Sequence, residues 1–391
     1  MQIVFSMLAL MLCAWLAGRV AQRVRLPAVL GMIAVGLLFR YLFEGGVPAA
    51  LESNAHLLKS LILTVILLRA GLGLRWQTLR SAGLPALLVG TVPVMAEACG
   101  LCFALHGWLG LSWSAAVCTA CMLAAVSPAV VMPAMLDLQA AGYGQKRGIT
   151  SIMLAGTAID NVLVITLFTI LLGFATTGYS DFQSVVLTVP LSILKGLVPG
   201  LVVAVLLVFL FKRVHLVANE KVLVSLVAVV AMVELGTLIQ GAVLLGVVAM
   251  GVVLLRGDEK SATQLNDKLN SLWFFAQIVL FVLIGLSTDP LAIQASGWMS
   301  VQVIAFGLVC RAAGIWLATH WSVLTARERL FCVFASLPKG TVQAALGGMA
   351  LAAGLPEGRL ILTLATLSIV MTVPVGAIAL SLSAPRLLSK D

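Results

Sequence analysis

Apolar residues in this chain come in long runs broken by short charged or Pro/Gly segments, with neither the strict alternation of a half-buried strand nor the one-sided stripe of a soluble helix. Thirteen runs stand out, at residues 3–18, 27–43, 57–74, 83–106, 112–136, 148–175, 185–211, 219–237, 239–255, 269–287, 299–322, 329–353 and 359–383. A helical crossing of a bilayer takes about twenty apolar residues, so the pattern predicts an all-α polytopic membrane protein of about thirteen transmembrane helices. The second run is short, and the split between the eighth and ninth rests on Leu238-Ile239-Gln240-Gly241 alone. The first run has no basic region before it and is followed by Arg19, Arg23 and Arg25, so it reads as a retained span and not a cleaved leader.

Composition narrows the class. Of the 391 residues, 61% are hydrophobic and 10% charged, which leaves no room for a large aqueous domain. The net charge of +9 does not point to nucleic acid, because the basic residues lie in the short loops. Loops after odd-numbered runs, with the C-terminal tail, hold seventeen Lys and Arg, against Arg40, Lys59 and Arg359 after even-numbered runs. That bias predicts a multi-pass protein of the cell's inner (plasma) membrane, N-terminus outside and C-terminus cytoplasmic. Four basic residues remain at or near membrane depth: Arg69, Lys195, Arg311 and Lys339.

An internal repeat is visible. Ser127-Pro128-Ala129-Val130-Val131-Met132-Pro133-Ala134 can be laid on Leu337-Pro338-Lys339-Gly340-Thr341-Val342-Gln343-Ala344, with Pro128 over Pro338. Each segment reads as a helix interrupted at its proline. The two lie seven runs apart, an odd number, so they cross in opposite directions. Paired broken helices in an inverted repeat are the sequence mark of a transporter's binding site near the midplane.

Ionisable residues inside spans are costly and therefore functional candidates. Glu97, Asp160, Arg311 and Lys339 are the firmest; Arg69, Lys195, Glu234 and Asp289 lie where a charge can reach the interface. Arg311 cannot lose its proton and needs an acidic partner, either Glu97 or Asp160. Asp160 sits midway along its run and must face a cation, a donor-lined cavity or a base, or else keep its proton; a static ion pair and a proton carrier both satisfy that demand. Asn161 and Thr157 beside it offer neutral oxygens of the kind that replace the water shell of a sodium or lithium ion. Lys339 is placed to offset the exposed carbonyls of a half-helix at the second break. Cys99, Cys102, Cys118 and Cys121 have zinc-like spacing, but four thiolates within spans would be formed in a low dielectric, so no metal site and no cofactor are expected.

Several runs of residues carry a family resemblance: Leu68-Arg69-Ala70-Gly71-Leu72-Gly73-Leu74, Glu97-Ala98-Cys99, Ala125 to Pro133, Gly142-Tyr143-Gly144-Gln145-Lys146-Arg147-Gly148, Ala155-Gly156 with Asp160-Asn161-Val162-Leu163, and Leu337 to Ala345. In order and spacing they resemble the sodium(lithium)/proton antiporters of the cation/proton antiporter superfamily, in the exchanger-B branch. The resemblance implies a homodimer whose core helices, at about 83–175 and 299–383, move elevator-fashion against dimerisation helices at about 1–74 and 185–287. It places Ser127 and Pro128 at the first helix crossing, Pro338 and Lys339 in the second broken helix, Asp160 at the first of two adjacent acidic positions and Arg311 at the embedded basic position. Glu97 matches a membrane glutamate of that branch. One departure stands out: the second acidic position, the principal ion-binding carboxylate of such antiporters, is Asn161 here.

Asp160 is then the single titratable carrier, with Asn161, Thr157 and Ser127 in the ion site and Glu97, Arg311 and Lys339 as supporting charge. One carboxylate exchanging one proton for one monovalent cation implies electroneutral antiport. The alternative keeps the fold without sodium antiport, as a transporter of another solute or an ion sensor, because Asn161 replaces the usual carboxylate. No His, Ser or Cys is set beside a partner as an enzyme would require.

Overall fold

The computed structural model describes residues 2–24, 28–42, 58, 61–62, 65, 68–69, 71–73, 76–177, 182–239, 243–287 and 290–390. Fourteen helices are described: α1 (Gln2–Arg23), α2 (Ala28–Leu42), α3 (Trp76–Leu109), α4 (Trp113–Ala124), α5 (Pro128–Ala140), α6 (Ile149–Thr177), α7 (Phe182–Arg213), α8 (Ala218–Ile239), α9 (Val243–Gly257), α10 (Glu259–Ser287), α11 (Pro290–Ala318), α12 (Ala326–Ala335), α13 (Thr341–Ala352) and α14 (Gly358–Leu387). Six of them contain stretches long and apolar enough to cross a membrane: Gly83–Leu109, Ile149–Ala175, Leu194–Arg213, Glu259–Leu286, Gly297–Ala318 and Gly358–Leu387. Half of the expected third span lies outside the described residues, as do residues 240–242. The fifth and twelfth runs are each two helices, α4 then α5 and α12 then α13. Pro128 explains the first interruption directly: it opens α5 at a position that needs no N–H, and it disfavours helix at the residue before it.

The repeat extends further than the prolines. α3 and α11 each contain one left-handed glycine, Gly83 at φ 58° and Gly297 at φ 66°, in a region of backbone space that only glycine enters cheaply. Glu97 and Arg311 each come fourteen residues after that glycine, and Gly100 and Gly314 each come seventeen after it. Those later glycines let the two helices touch. A Cβ on Gly100 would stand 2.4 Å from Cys310 Sγ, and one on Gly314 would stand 2.6 Å from Pro93 Cα. Among the described residues nothing lies within 4 Å of a Cβ added to Gly297, so Gly297→Ala tests backbone strain and not crowding. It is expected to cost about 1 to 3 kcal/mol, read as a lower melting temperature of the purified protein; an unchanged melting temperature would mean the bend relaxes freely.

α3 packs along α11 and α6, and α13 along α14; α2 packs on α1 and α10, and α7 on α9. The largest apolar cluster is shared across these groups, with Phe168 of α6, Leu207 of α7, Val229 of α8, Val248 of α9 and Leu364 of α14 all buried in it.

Loops that the charge alternation puts on one side of the membrane meet in space. Arg147, before α6, pairs with Glu328 of α12 at 2.7 Å; Gly144 N–H donates to Ser389 O at 2.9 Å; and the Lys390 ammonium lies over the Tyr143 ring. Loops assigned to the other side meet too, since Ser112 Oγ donates to Glu357 Oε1 at 2.8 Å. Glu328 also caps its own helix through Thr325. Partial burial pushes its carboxyl upward, but the Thr325 and Arg147 hydrogen bonds outweigh that and hold it below the usual carboxylate range. Because the folded value is depressed, this stabilisation is complete above the unfolded pKa of about 4.3 and is lost as pH falls through the folded one. Glu328→Gln should therefore lower the melting temperature more at pH 7 than at pH 3. An equal deficit at both pH values would show that packing, not charge, is the cause.

Candidate functional site

The two interrupted helices cross where their backbones are broken. Ser127 N–H donates to Pro338 O at 2.8 Å, and a Cβ on Gly340 would fall 2.4 Å from Ser127 Oγ, so only glycine lets the breaks approach this closely. A broken helix exposes carbonyls at the end of its first half and N–H groups at the start of its second, and at this depth every one must be met by protein.

Four buried ionisable side chains converge on this crossing from four elements: Glu97 of α3, Asp160 of α6, Arg311 of α11 and Lys339 of the second break. Arg311 Nη1 donates to Glu97 Oε2 at 2.8 Å and Nη2 to Asp160 Oδ2 at 2.5 Å. The two candidate partners thus share it. Lys339 Nζ donates to the same Glu97 oxygen at 2.7 Å. The other oxygen of Asp160, Oδ1, accepts from Val126 N–H, which the first break leaves without a helical partner, at 3.1 Å. Two carboxylates and two bases balance, which is what lets four charges stay this deep.

Among the described residues, the Lys339 side chain meets a half-helix that is not the one at its own break. It reaches Ala124 O at the end of α4, at 3.3 Å, and Arg311 Nη1 donates to the same carbonyl. The sequence placed this offset at the second break; the broken helices cross, and the Lys339 side chain reaches the end of α4 at the first. Lys339 is fixed from behind by its N–H, which donates to Thr372 Oγ1 at 2.8 Å.

On α6 beside Asp160 and at the two breaks lie polar groups whose hydrogen-bonding capacity is unused among the described residues: Thr157 Oγ1 and Asn161 Oδ1, and Ser127 Oγ and Thr341 Oγ1, all buried. Asn161 Nδ2 donates back to Thr157 O at 2.7 Å, so its amide hydrogens do not reach the Asp160 carboxylate and its oxygen is left over. Buried oxygens without donors are costly unless something electropositive meets them.

The other candidates lie elsewhere. Arg69 donates to Asn270 Oδ1 and stacks on Trp273, both of α10. Lys195 and Glu234 are exposed on α7 and α8, and Asp289 lies outside the described residues. Cys99 is on α3, whereas Cys118 and Cys121 are buried in α4.

Residues 7–383 match the family model described as sodium/hydrogen exchanger, transmembrane. The chain belongs to the sodium/hydrogen exchanger family. It is 31% identical over 368 residues to human sodium/hydrogen exchanger 9B2, covering 89% of this chain and 66% of that protein, and 28% identical over 361 residues to human sodium/hydrogen exchanger 9B1, covering 89% and 69%. The chain thus spans about two thirds of the length of these relatives. Among solved structures it superposes on the sodium proton antiporter MjNhaP1 from Methanocaldococcus jannaschii with a TM-score of 0.81 at 17% identity, covering 99% of this chain and 98% of that one. At that identity the match speaks for the fold, an inverted-repeat exchanger fold of membrane helices.

Within this exchanger fold, sequence reasoning missed three contributors: Thr372, Thr341 and Gln343. Gln343 had a signal. It stands three residues after Gly340, the spacing at which a helix's own side chain can return to its first N–H, and Gln343 Oε1 accepts from Gly340 N–H at 2.7 Å.

Proposed function

We propose that the protein is a monovalent cation/proton antiporter, taking sodium or lithium, in which Asp160 is the titratable carrier. The observation that carries this reading is the setting of Asp160: a buried carboxylate held by Arg311 and one backbone N–H, with Asn161, Thr157 and Ser127 nearby in sequence or at the crossing and offering unpartnered oxygens. Proton and cation compete for the one carboxylate, and either must displace Arg311, which retreats onto Glu97. In the geometry seen, the four charges sum to zero. A bound cation and a bound proton each add the same single charge, so exchanging one for the other leaves the protein's charge unchanged, and transport is electroneutral.

The rest of the mechanism follows the resemblance. The helices from α3 to α6 and from α11 to α14 form a core that shifts against α1, α2 and α7 to α10 in a homodimer, carrying the crossing from one side of the membrane to the other. The basic loops, including Arg147 and Lys390, face the cytoplasm of a cell bounded by that membrane.

The test is flux in proteoliposomes. With an imposed pH gradient, sodium or lithium should enter as protons leave, at a rate that does not change when the membrane potential is clamped. Uncoupled flux would exclude antiport. A second reading is favoured by one observation, that both oxygens of Asp160 already have donors while its neighbour is the neutral Asn161. On that reading the charges are structural and the protein handles another solute or senses ions; flux blind to sodium, lithium and pH alike would support it.

A further inference from the structure

One side chain at the crossing belongs to neither the charges nor the proposed ion ligands, and it makes more contacts across the breaks than any of them. Gln343 is fully buried in the first turn of α13. Its Oε1 accepts the Gly340 N–H at the start of its own half-helix, while Nε2 faces the end of the other: Ala125 O at 2.8 Å, Met122 O at 3.2 Å and Leu123 O at 3.3 Å. One amide therefore serves the positive end of one half-helix and the negative end of another more than 200 residues away. Only the orientation with Nε2 toward α4 is possible, because carbonyls cannot donate. The carbonyls it holds lead directly into Val126, whose N–H binds Asp160, and into Ser127, whose hydroxyl is unpartnered.

We infer that Gln343 is a positioning residue for cation binding: its amide pins the end of α4 to the start of α13, and so fixes the distance of Asp160 and Ser127 from the bound ion. The inference rests on the antiport reading. An ion site tolerates misplacement of roughly 0.5 Å, so releasing this pin weakens cation binding without touching a ligand. Among the described residues, Gln343 alone combines an acceptor turned to one half-helix with a donor turned to the other. That makes it testable by chemistry as well as by size.

The decisive variant is Gln343→Glu. It keeps the volume, but once ionised it has no donor for the α4 carbonyls and repels them; when protonated, its hydroxyl donates to one of them and its carbonyl oxygen still accepts from Gly340. Gln343→Met keeps the length and has neither function at any pH. The measurement is the KM for lithium in proteoliposomes, as a ratio to the parent at each pH. For Gln343→Glu the ratio should rise roughly tenfold or more from acidic to alkaline pH, the size expected for losing hydrogen bonds to a buried site. For Gln343→Met it should be raised throughout and flat. Purifying Gln343→Glu at acidic pH, where the bonds can be remade, keeps the test open even if Gln343→Met does not fold. A Gln343→Glu ratio that is flat with pH, or that stays at one, overturns the inference. If the parent itself shows no proton-coupled flux, it is the antiport reading that falls.

Discussion

Asp160→Asn is expected to abolish cation/proton exchange while leaving most of the protein folded. The change removes a charge but little volume, and the amide oxygen can still accept from Arg311 or from Val126 N–H, with the NH2 group then facing the remaining donor. Arg311 keeps its other carboxylate, Glu97, so the guanidinium is not stranded. What disappears is the one group for which proton and cation compete, and no neighbour replaces it, because Asn161 is neutral and Glu97 is already held by two bases. Exchange should fall by at least about a thousandfold, the scale of losing a charged group from a buried site. Coupled lithium or sodium flux near the parent rate would remove Asp160 from the carrier role and move attention to Glu97. Asn161→Asp is the reverse experiment: it adds a second buried carboxylate and should make transport sensitive to membrane potential or change the proton-to-cation ratio.

Glu97→Gln should be the most damaging change to stability in the core. A single oxygen of Glu97 accepts from both Arg311 and Lys339, so neutralising it leaves two bases facing one carboxylate. Breaking a buried pair from one side costs about 3 to 5 kcal/mol. The geometry also predicts which second change rescues it. Lys339 has Glu97 as its only carboxylate among the described residues, whereas Arg311 has Asp160 as well. Adding Lys339→Gln to Glu97→Gln leaves the Arg311–Asp160 pair intact and balanced, and should recover more folded protein than adding Arg311→Gln, which leaves Lys339 without a carboxylate in contact. Coupling of about 0.5 to 3 kcal/mol is expected for groups in one network. Strictly additive losses in thermal stability for both double variants would contradict the shared-oxygen arrangement.

The sequence made the membrane-helix architecture and the two interruptions legible because their causes are local. Long apolar runs force helices in a bilayer, and Pro128 cannot continue a helix from the residue before it. Glu97, Asp160, Arg311 and Lys339 were visible for the same reason, as charges in stretches that should hold none. What could not be read was who meets whom. Arg311 serves both acidic candidates, and Lys339 serves the opposite half-helix, because these contacts join residues 151 to 242 positions apart through the crossing. Gln343 was hidden further, since its partners are backbone carbonyls whose identity leaves no trace in side chains. Gly83 and Gly297 were lost among 35 glycines, although their equal spacing to Glu97 and Arg311 was there to be counted.

The central claim is that proton and cation occupy the same carboxylate in turn. Counting protons released when lithium binds to the purified protein tests it most directly, by calorimetric titration at one acidic pH in buffers of different ionisation enthalpy. The account predicts close to one proton released per lithium bound to the parent protein, and neither binding nor release in Asp160→Asn. Lithium binding to the parent without proton release, or the same release from Asp160→Asn, would contradict it.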